Sequence, residues 1–236
     1  MAKFDSYSVK YRDLVTQSVR ASGEPSEYFA ACKARYIRHK FGSGGIQSIL
    51  DYGCGIGALA DQMKLTMPAA RIDGFDPSQQ SLDGVSPQLL DQGLFCRDLE
   101  MLVGDYDLVV IANVLHHVPT INRWDVFQQA CEKLKPSGRV VVFEHNPFNP
   151  FTRWAVSQCP FDEDAILLRS SEVRALLFRA GFDELQRDFL VFFPHALAFL
   201  RSLESSLAWC PLGAQFAYSG KRPSVRVSIN EGGVSN

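Results

Sequence analysis

Between residues 46 and 143, short apolar runs alternate with stretches in which apolar positions recur every three or four residues. The runs are Ile46 to Asp51, Ala70 to Phe75, Leu94 to Arg97, Asp107 to Ala112 (D-L-V-V-I-A) and Arg139 to Phe143 (R-V-V-V-F). Their length and branched side chains predict five strands, and the most continuous of them, Asp107 to Ala112, predicts burial on both faces. Helices are predicted over Ala58 to Thr66, after Asp76-Pro77-Ser78, and over Asn122 to Leu134, where Val126, Phe127, Ala130, Cys131 and Leu134 share one face. Lys135-Pro136-Ser137-Gly138 stops the last of these. Such alternation predicts parallel strands joined by crossover helices, a doubly wound α/β sheet. Ligands of these sheets bind beyond the carboxyl ends of the strands, at the switch point.

The flanks add to this unit. Ser6 to Phe41 reads as helical, with Tyr11, Leu14, Val15 and Val19 at helical spacing and a break at Ser22-Gly23-Glu24-Pro25 before a second stretch, Glu27 to His39. Beyond the fifth strand come a helix over Ser171 to Ala180 capped by Gly181, a strand from Glu184 to Phe192, a helix over about His195 to Trp209, and a last strand near Gln215 to Tyr218. The organisation is thus an N-terminal helical cover, 1–42, on one domain, 43–236, with an insertion at about 145–169.

Composition narrows the class. Of 236 residues, 46% are hydrophobic and 21% charged, and the net charge of -2 is a poor match to a nucleic-acid backbone. The six cysteines include no CxxC pair, which speaks against zinc or a disulfide framework and for a reduced, cytoplasmic setting. The N-terminus lacks the apolar core of a secretory signal, and the Phe189 to Leu200 run, broken by Pro194 and His195, is too short for stable membrane insertion. The apolar surface of the late helix points to core packing or a homodimer.

The chemistry concentrates in I-L-D-Y-G-C-G-I-G-A-L-A, residues 49–60. Gly53-x-Gly55-x-x-Ala58 with Asp76 further on satisfies a dinucleotide-binding pattern, so an NAD-dependent oxidoreductase is one reading. Asp51 opposes it: a carboxylate beside a pyrophosphate is repelled, whereas it suits a ligand bearing an ammonium group. Asp98, in C-R-D-L, is placed to meet an adenine amino group. Asn113 and V-L-H-H-V-P fill the place a nicotinamide needs.

Taken in order, D-Y-G-C-G-I-G-A, Asp76, Asp98, D-L-V-V-I-A-N-V-L-H-H-V-P and L-K-P-S-G-R-V-V-V-F-E resemble the class I S-adenosylmethionine-dependent methyltransferases over roughly Ile46 to Glu144. The resemblance implies a Rossmann-like seven-stranded sheet with the last strand antiparallel. It implies that Gly53, Cys54, Gly55 and Gly57 approach the methionine part and that Asp51 holds its amino group. Asp76, with Pro77 following, takes the ribose hydroxyls; Asp98 and Leu99 frame the adenine; Asn113 lies along the methionine. A non-catalytic methyltransferase-like binding protein is the remaining alternative.

The acceptor expected is a small molecule methylated at oxygen: a sugar, a natural product or a lipid-linked intermediate. Candidate proton acceptors lie where the fourth and fifth strands end, at His116, His117, Glu144 and His145. Adjacent His116 and His117 point different ways, so one faces the pocket and the other packs. No metal is expected, because Ala112 and Asn113 stand where metal-dependent relatives carry an aspartate. H-N-P-F-N-P-F-T-R-W, opening the 145–169 insertion, reads as a stiffened irregular loop. Its Arg153 and Trp154, with Arg169, and Tyr7 and Tyr11 from the N-terminal cover, are the candidate acceptor contacts.

Overall fold

In the computed structural model, which describes residues 23–42, 44–158 and 165–223, six strands running in one direction and a single strand running against them form one sheet. The strands are β1 (Ser48–Tyr52), β2 (Arg71–Phe75), β3 (Phe95–Cys96), β4 (Tyr106–Ala112), β5 (Leu134–His145), β6 (Asp183–Leu190) and β7 (Gln215–Lys221). Their order is β3-β2-β1-β4-β5-β7-β6, with β7 antiparallel to both β5 and β6. The seven-stranded arrangement expected from the sequence is therefore present.

Burial on both faces explains the apolar runs. Leu50, Tyr52, Val109, Ile111, Val140, Val142 and Phe216 enter one core, while Ile49, Leu108, Val110, Val141, Phe143 and Ala217 enter the other. Helices α5 (Arg123–Lys133) and α7 (Ser170–Arg179) close the first core through Val126, Phe127, Ala130, Val173 and Leu177. Helices α1 (Ser26–Phe41) and α2 (Ala58–Thr66) close the second through Ala34, Ile37, Leu59, Ala60 and Met63. Short helices α3 (Gln79–Leu82) and α4 (Pro87–Leu90) follow β2. The direction of winding reverses between β1 and β4, so the loops leaving these two strands part and open a cleft at their carboxyl ends.

Three elements differ from expectation. After His145 the chain forms an eight-residue helix, α6 (Pro150–Ser157), in place of an irregular loop. Asn149 accepts a hydrogen bond from the Thr152 N–H and Pro150 occupies the first turn, a capping residue followed by a helix-starting proline. Residues His195–Leu207 form a 3-10 run kinked at Leu197, not one α-helix. The helix before Lys135–Gly138 does end there, at Lys133, but the fifth strand starts at Leu134 and not at Arg139, so these residues lie inside β5, where Ser137 takes φ 64° and the register against β4 shifts. The expected first helix, with Tyr7 and Tyr11, and the stretch 159–164 of the insertion lie outside the described residues.

Candidate functional site

The turn after β1 is held mainly by its backbone. The N–H groups of Gly53 and Cys54 both donate to the Phe75 carbonyl at the end of β2, at 2.7 and 3.0 Å, and Gly57 N–H donates to the Cys54 carbonyl at 2.9 Å. All three glycines adopt positive φ. They differ in what a side chain would meet. A Cβ on Gly53 would lie 2.4 Å from Val114, and one on Gly57 3.1 Å from Leu89. A Cβ on Gly55 would enter open space. Gly53 and Gly57 thus serve packing, and Gly55 marks the open side of the turn. The Cys54 side chain turns into the core against Gly74, so only its backbone belongs to the turn.

Around this turn lie polar groups of two kinds. Asp76 is engaged: it accepts from Gly55 N–H at 2.8 Å and from Ser78 N–H at 2.9 Å, which locks the turn to the end of β2. Pro77 beyond it is exposed. Asp98 is also exposed and caps the short 3-10 turn Leu99–Met101 by accepting from Glu100 N–H, while Leu99 is buried. Asp51 is the opposite case. It is 1% exposed, its Oδ2 has no hydrogen-bond partner, and burial reinforced by the Asp76 charge pushes its pKa up to about 7, with Lys33 pulling the other way. Asn113 resembles Asp51 in this respect: its Oδ1 is buried without a partner, and its backbone sits in the left-handed region at φ 59°. A strained residue with an unsatisfied buried acceptor belongs to sites where a ligand completes the bonding.

The histidines gather at the ends of β4 and β5. Glu144 is fully buried and accepts from Leu115 N–H at 2.8 Å, and it meets His116 Nδ1 at 2.6 Å. Burial pushes the Glu144 carboxyl up, but the neighbouring His116, His145 and the Leu115 N–H outweigh it and hold the pKa below the usual value. An ionised Glu144 requires the proton on His116 Nδ1, which fixes that ring. His116 is buried, whereas His117 and His145 are partly open, with ring centroids 4.1 and 5.2 Å from that of His116. The adjacent pair thus consists of one buried ring and one partly open one. Arg123, also buried, donates to the carbonyls of Val118 and Ile166 and clamps this turn to the end of the insertion.

The wall beside it is tied together across the chain. Asn146 Nδ2 donates to the carbonyls of Pro211 and Gly213, Asn149 Nδ2 to Leu212, and Thr152 Oγ1 to Ala214. This framework presents Phe148, Phe151 and Trp154 outward, from half to four-fifths exposed, and Arg153 is exposed with them. Arg169 lies 6.0 Å over the Phe148 ring. Gln215, opposite His145 in the β5–β7 pairing, is buried with an unpartnered Oε1. Sequence reasoning missed Gln215 and also Lys33, which is 5% exposed on α1. A signal for Lys33 existed: it lies one turn before Ile37 and next to Ala34, inside the apolar stripe of the helix. A cleft of about 450 Å³ at the other edge of the sheet, between Lys40, Asp107 and Lys135, contains none of these groups. Among the described residues no cluster of three or more His, Cys, Asp or Glu has metal-binding geometry, and no helix is long and apolar enough to cross a membrane.

The family follows from comparison with known proteins. The model of the methyltransferase domain family matches residues 18–186, well over half of the chain, and the chain belongs to that family, the class I S-adenosylmethionine-dependent methyltransferases. A ubiquinone biosynthesis O-methyltransferase of Sodalis glossinidius is 28% identical over 160 residues, covering 64% of this chain and 59% of that protein. A sterol 24-C-methyltransferase of Gibberella zeae is 27% identical over 135 residues, 52% of this chain and 34% of that protein. The match therefore spans less than two thirds of either relative's length. Among solved structures, a SAM-dependent methyltransferase from Archaeoglobus fulgidus superposes with TM-score 0.64 at 15% identity, covering 84% of this chain and 95% of that one. The magnesium protoporphyrin IX methyltransferase of Synechocystis, solved with bound SAH, gives TM-score 0.64 at 16% identity, covering 93% and 96%. These two likenesses establish the shared fold.

Proposed function

We propose that this chain transfers a methyl group from S-adenosylmethionine to an oxygen of a small, largely apolar acceptor. The observation that carries the reading is the buried carboxylate of Asp51, its Oδ2 without a partner, beside the open side of the Gly55 turn. A buried carboxylate with an unpartnered oxygen is costly unless a ligand pairs with it, and it repels phosphate. It fits the ammonium group of an amino-acid moiety, and the Asn113 Oδ1 offers a second acceptor for the same group.

When bound, the cofactor supplies an electrophilic methyl group on a sulfonium. The residues of this chain hold and orient. Asp51 and Asn113 accept from the amino group. Asp76, already oriented by Gly55 and Ser78, accepts from ribose hydroxyls through the remaining lone-pair sites of a carboxylate. Asp98 accepts from the adenine amino group, with Leu99 against the ring.

On the acceptor side, the ionised Glu144 holds His116, and His116 in turn positions the two partly open rings tilted against it. His117 or His145 takes the hydroxyl proton as the new bond forms. Phe148, Phe151 and Trp154 supply an apolar wall, with Arg153 and Arg169 for an acidic group. The similarity to proteins named O-methyltransferases supports oxygen as the methylated atom. The aromatic wall favours a natural-product or lipid-linked acceptor over a bare sugar.

Calorimetric titration tests the donor. S-adenosylhomocysteine is expected to bind and NAD to leave the heat signal unchanged; binding of NAD alone would sink the reading. Transfer of radiolabelled methyl from S-adenosylmethionine to a panel of hydroxylated aromatic and prenylated compounds then tests the acceptor class.

A further inference from the structure

We propose that Gln215 is an acceptor-binding residue: its side-chain oxygen receives a hydrogen bond from a donor group, a hydroxyl or an amine, that stands beside the methylated oxygen. The chain thereby selects acceptors with two adjacent polar groups, one of which is methylated while the other is held. The inference rests on the methyl-transfer reading and deepens it by naming a feature of the substrate.

Gln215 opens β7 at the edge of the sheet where β5 ends, and it stands directly opposite His145 in the antiparallel pairing. Side chains paired in this way rise from the same face of the sheet, with Cβ atoms about 5 Å apart. Its neighbour in register on the other side is the apolar Leu190 of β6. Gln215 is 4% exposed, and among the described residues its Oε1 has no hydrogen-bond partner. The next two residues, Phe216 and Ala217, each enter a core, so packing alone calls for an apolar side chain here. A buried amide oxygen without a partner is costly, and such groups persist where a ligand completes the bonding.

The backbone leaves Gln215 little freedom to find a partner within the protein. Ala214 N–H donates to the Val191 carbonyl at 2.8 Å, and the Ala214 carbonyl accepts from Asn146 N–H at 3.0 Å and from Thr152 Oγ1 at 2.8 Å. Gly213 is fixed as well, since a Cβ there would lie 2.6 Å from the Leu190 carbonyl oxygen. The bonds from Asn146 and Thr152 also hold the segment that carries Phe148, Phe151 and Trp154, so the apolar wall, His145 and Gln215 share one frame. An amide oxygen offers lone pairs and no proton, so its partner must be an O–H or N–H group. The methylated hydroxyl gives up its own proton as the new bond forms and cannot remain that partner. A second donor group adjoining the first reaches Gln215 while the first faces His145.

The test uses 4-propylphenol and three derivatives that carry a hydroxyl, an amino or a methoxy group beside the phenolic oxygen. Calorimetry measures the binding of each to the full chain loaded with S-adenosylhomocysteine, and transfer of radiolabelled methyl gives kcat/KM. The parent should favour the hydroxyl and amino derivatives over the other two by about 10- to 100-fold, the effect of one buried hydrogen bond. A preference for only one of these two supports the assignment and names the donor group. Gln215→Leu should erase the preference while 4-propylphenol and S-adenosylhomocysteine bind within about threefold of the parent. Its melting temperature should not fall, because the change removes an unpartnered buried oxygen. Gln215→Met gives the same comparison if the Leu variant does not fold. Equal binding of the methoxy and hydroxyl derivatives by the parent, equal weakening of all four phenols in the variant, or a preference that survives the substitution overturns the assignment. A parent that binds S-adenosylhomocysteine but none of the four phenols also overturns it while sparing the donor reading. A parent that does not bind S-adenosylhomocysteine overturns the donor reading and the assignment with it.

Discussion

The donor side and the acceptor side of this cleft are built in different ways. On the donor side, the β1–α2 turn is bonded to the end of β2, and its groups come from short segments that leave neighbouring strands. On the acceptor side, the wall is made by stitching 146–152 to 211–214 through side-chain amides and a hydroxyl, and it shows aromatic rings to solvent. The donor side is rigid and specified by backbone geometry, as a constant ligand allows. The acceptor side hangs on long-range side-chain bonds, where sequence change alters the wall without disturbing the sheet.

The largest effect expected from breaking this contrast falls on the acceptor side. Replacing the open ring that takes the proton, His117→Ala or His145→Ala, should lower kcat by about 10²- to 10⁴-fold while S-adenosylhomocysteine binding changes little. The buried His116 should behave differently. His116→Ala leaves the ionised Glu144 with one fewer partner in the interior, so it should lower the melting temperature as well as turnover. Steady-state rates with a positive acceptor from the panel, read beside thermal unfolding, separate the two roles. Equal and small losses for both open rings would remove histidine from proton transfer.

On the donor side the next effect is a pH dependence, and its sign follows from Asp51. Its folded-state pKa is raised from 3.8 to about 7, so protonated Asp51 suits the free protein and ionised Asp51 does not. The stability this contributes is complete below about pH 4 and is lost as the pH rises through about 7. An arriving ammonium reverses the preference. S-adenosylhomocysteine binding near pH 6 should therefore release a proton, and affinity should fall by up to about tenfold for each unit below pH 7. Calorimetry in buffers of different ionisation enthalpy reads the released proton. Asp51→Asn should abolish the release and flatten the stability slope between pH 4 and 7.

The same contrast explains what could be read from the sequence. The positions of Asp51, the glycine turn and Asp76 were legible because each stands at the carboxyl end of a strand that the apolar runs already mark. The division of labour among the glycines was not, because it is Val114, on another strand's loop, that forbids a side chain at Gly53 and no neighbour that forbids one at Gly55. Lys33 and Gln215 escaped for a related reason. A polar residue in an apolar stripe or at an inward strand position acquires meaning only when the opposite face is known. At Asn149-Pro150 the signal was local, a cap followed by a helix-starting proline, and the density of prolines hid it. The 3-10 run at His195–Leu207 had no such signal: its apolar spacing suits an α-helix, and its tie through Glu204 to the N–H groups of Phe192 and Phe193 is tertiary.

Asp98 should give the smallest effect, and it tests whether the donor side is as uniform as its motifs suggest. Its carboxylate is exposed and already caps the Leu99–Met101 turn, so two roles compete for one group. As a cap alone, Asp98→Ala would cost about 0.5–2 kcal/mol of stability, and Asp98→Asn, a comparably good cap, almost none. Neither change would then touch affinity. As an acceptor for the adenine amino group, the carboxylate contributes in the bound state as well. Because it is solvated, the loss should be only about three- to tenfold in S-adenosylhomocysteine affinity for Asp98→Ala. The same loss should appear with 5′-methylthioadenosine, which keeps the adenine and the sulfur but has a methyl group in place of the amino-acid chain. An Asp98→Ala protein that melts earlier yet binds both nucleosides at full strength would reduce this acid to a cap and leave recognition of the base to Leu99.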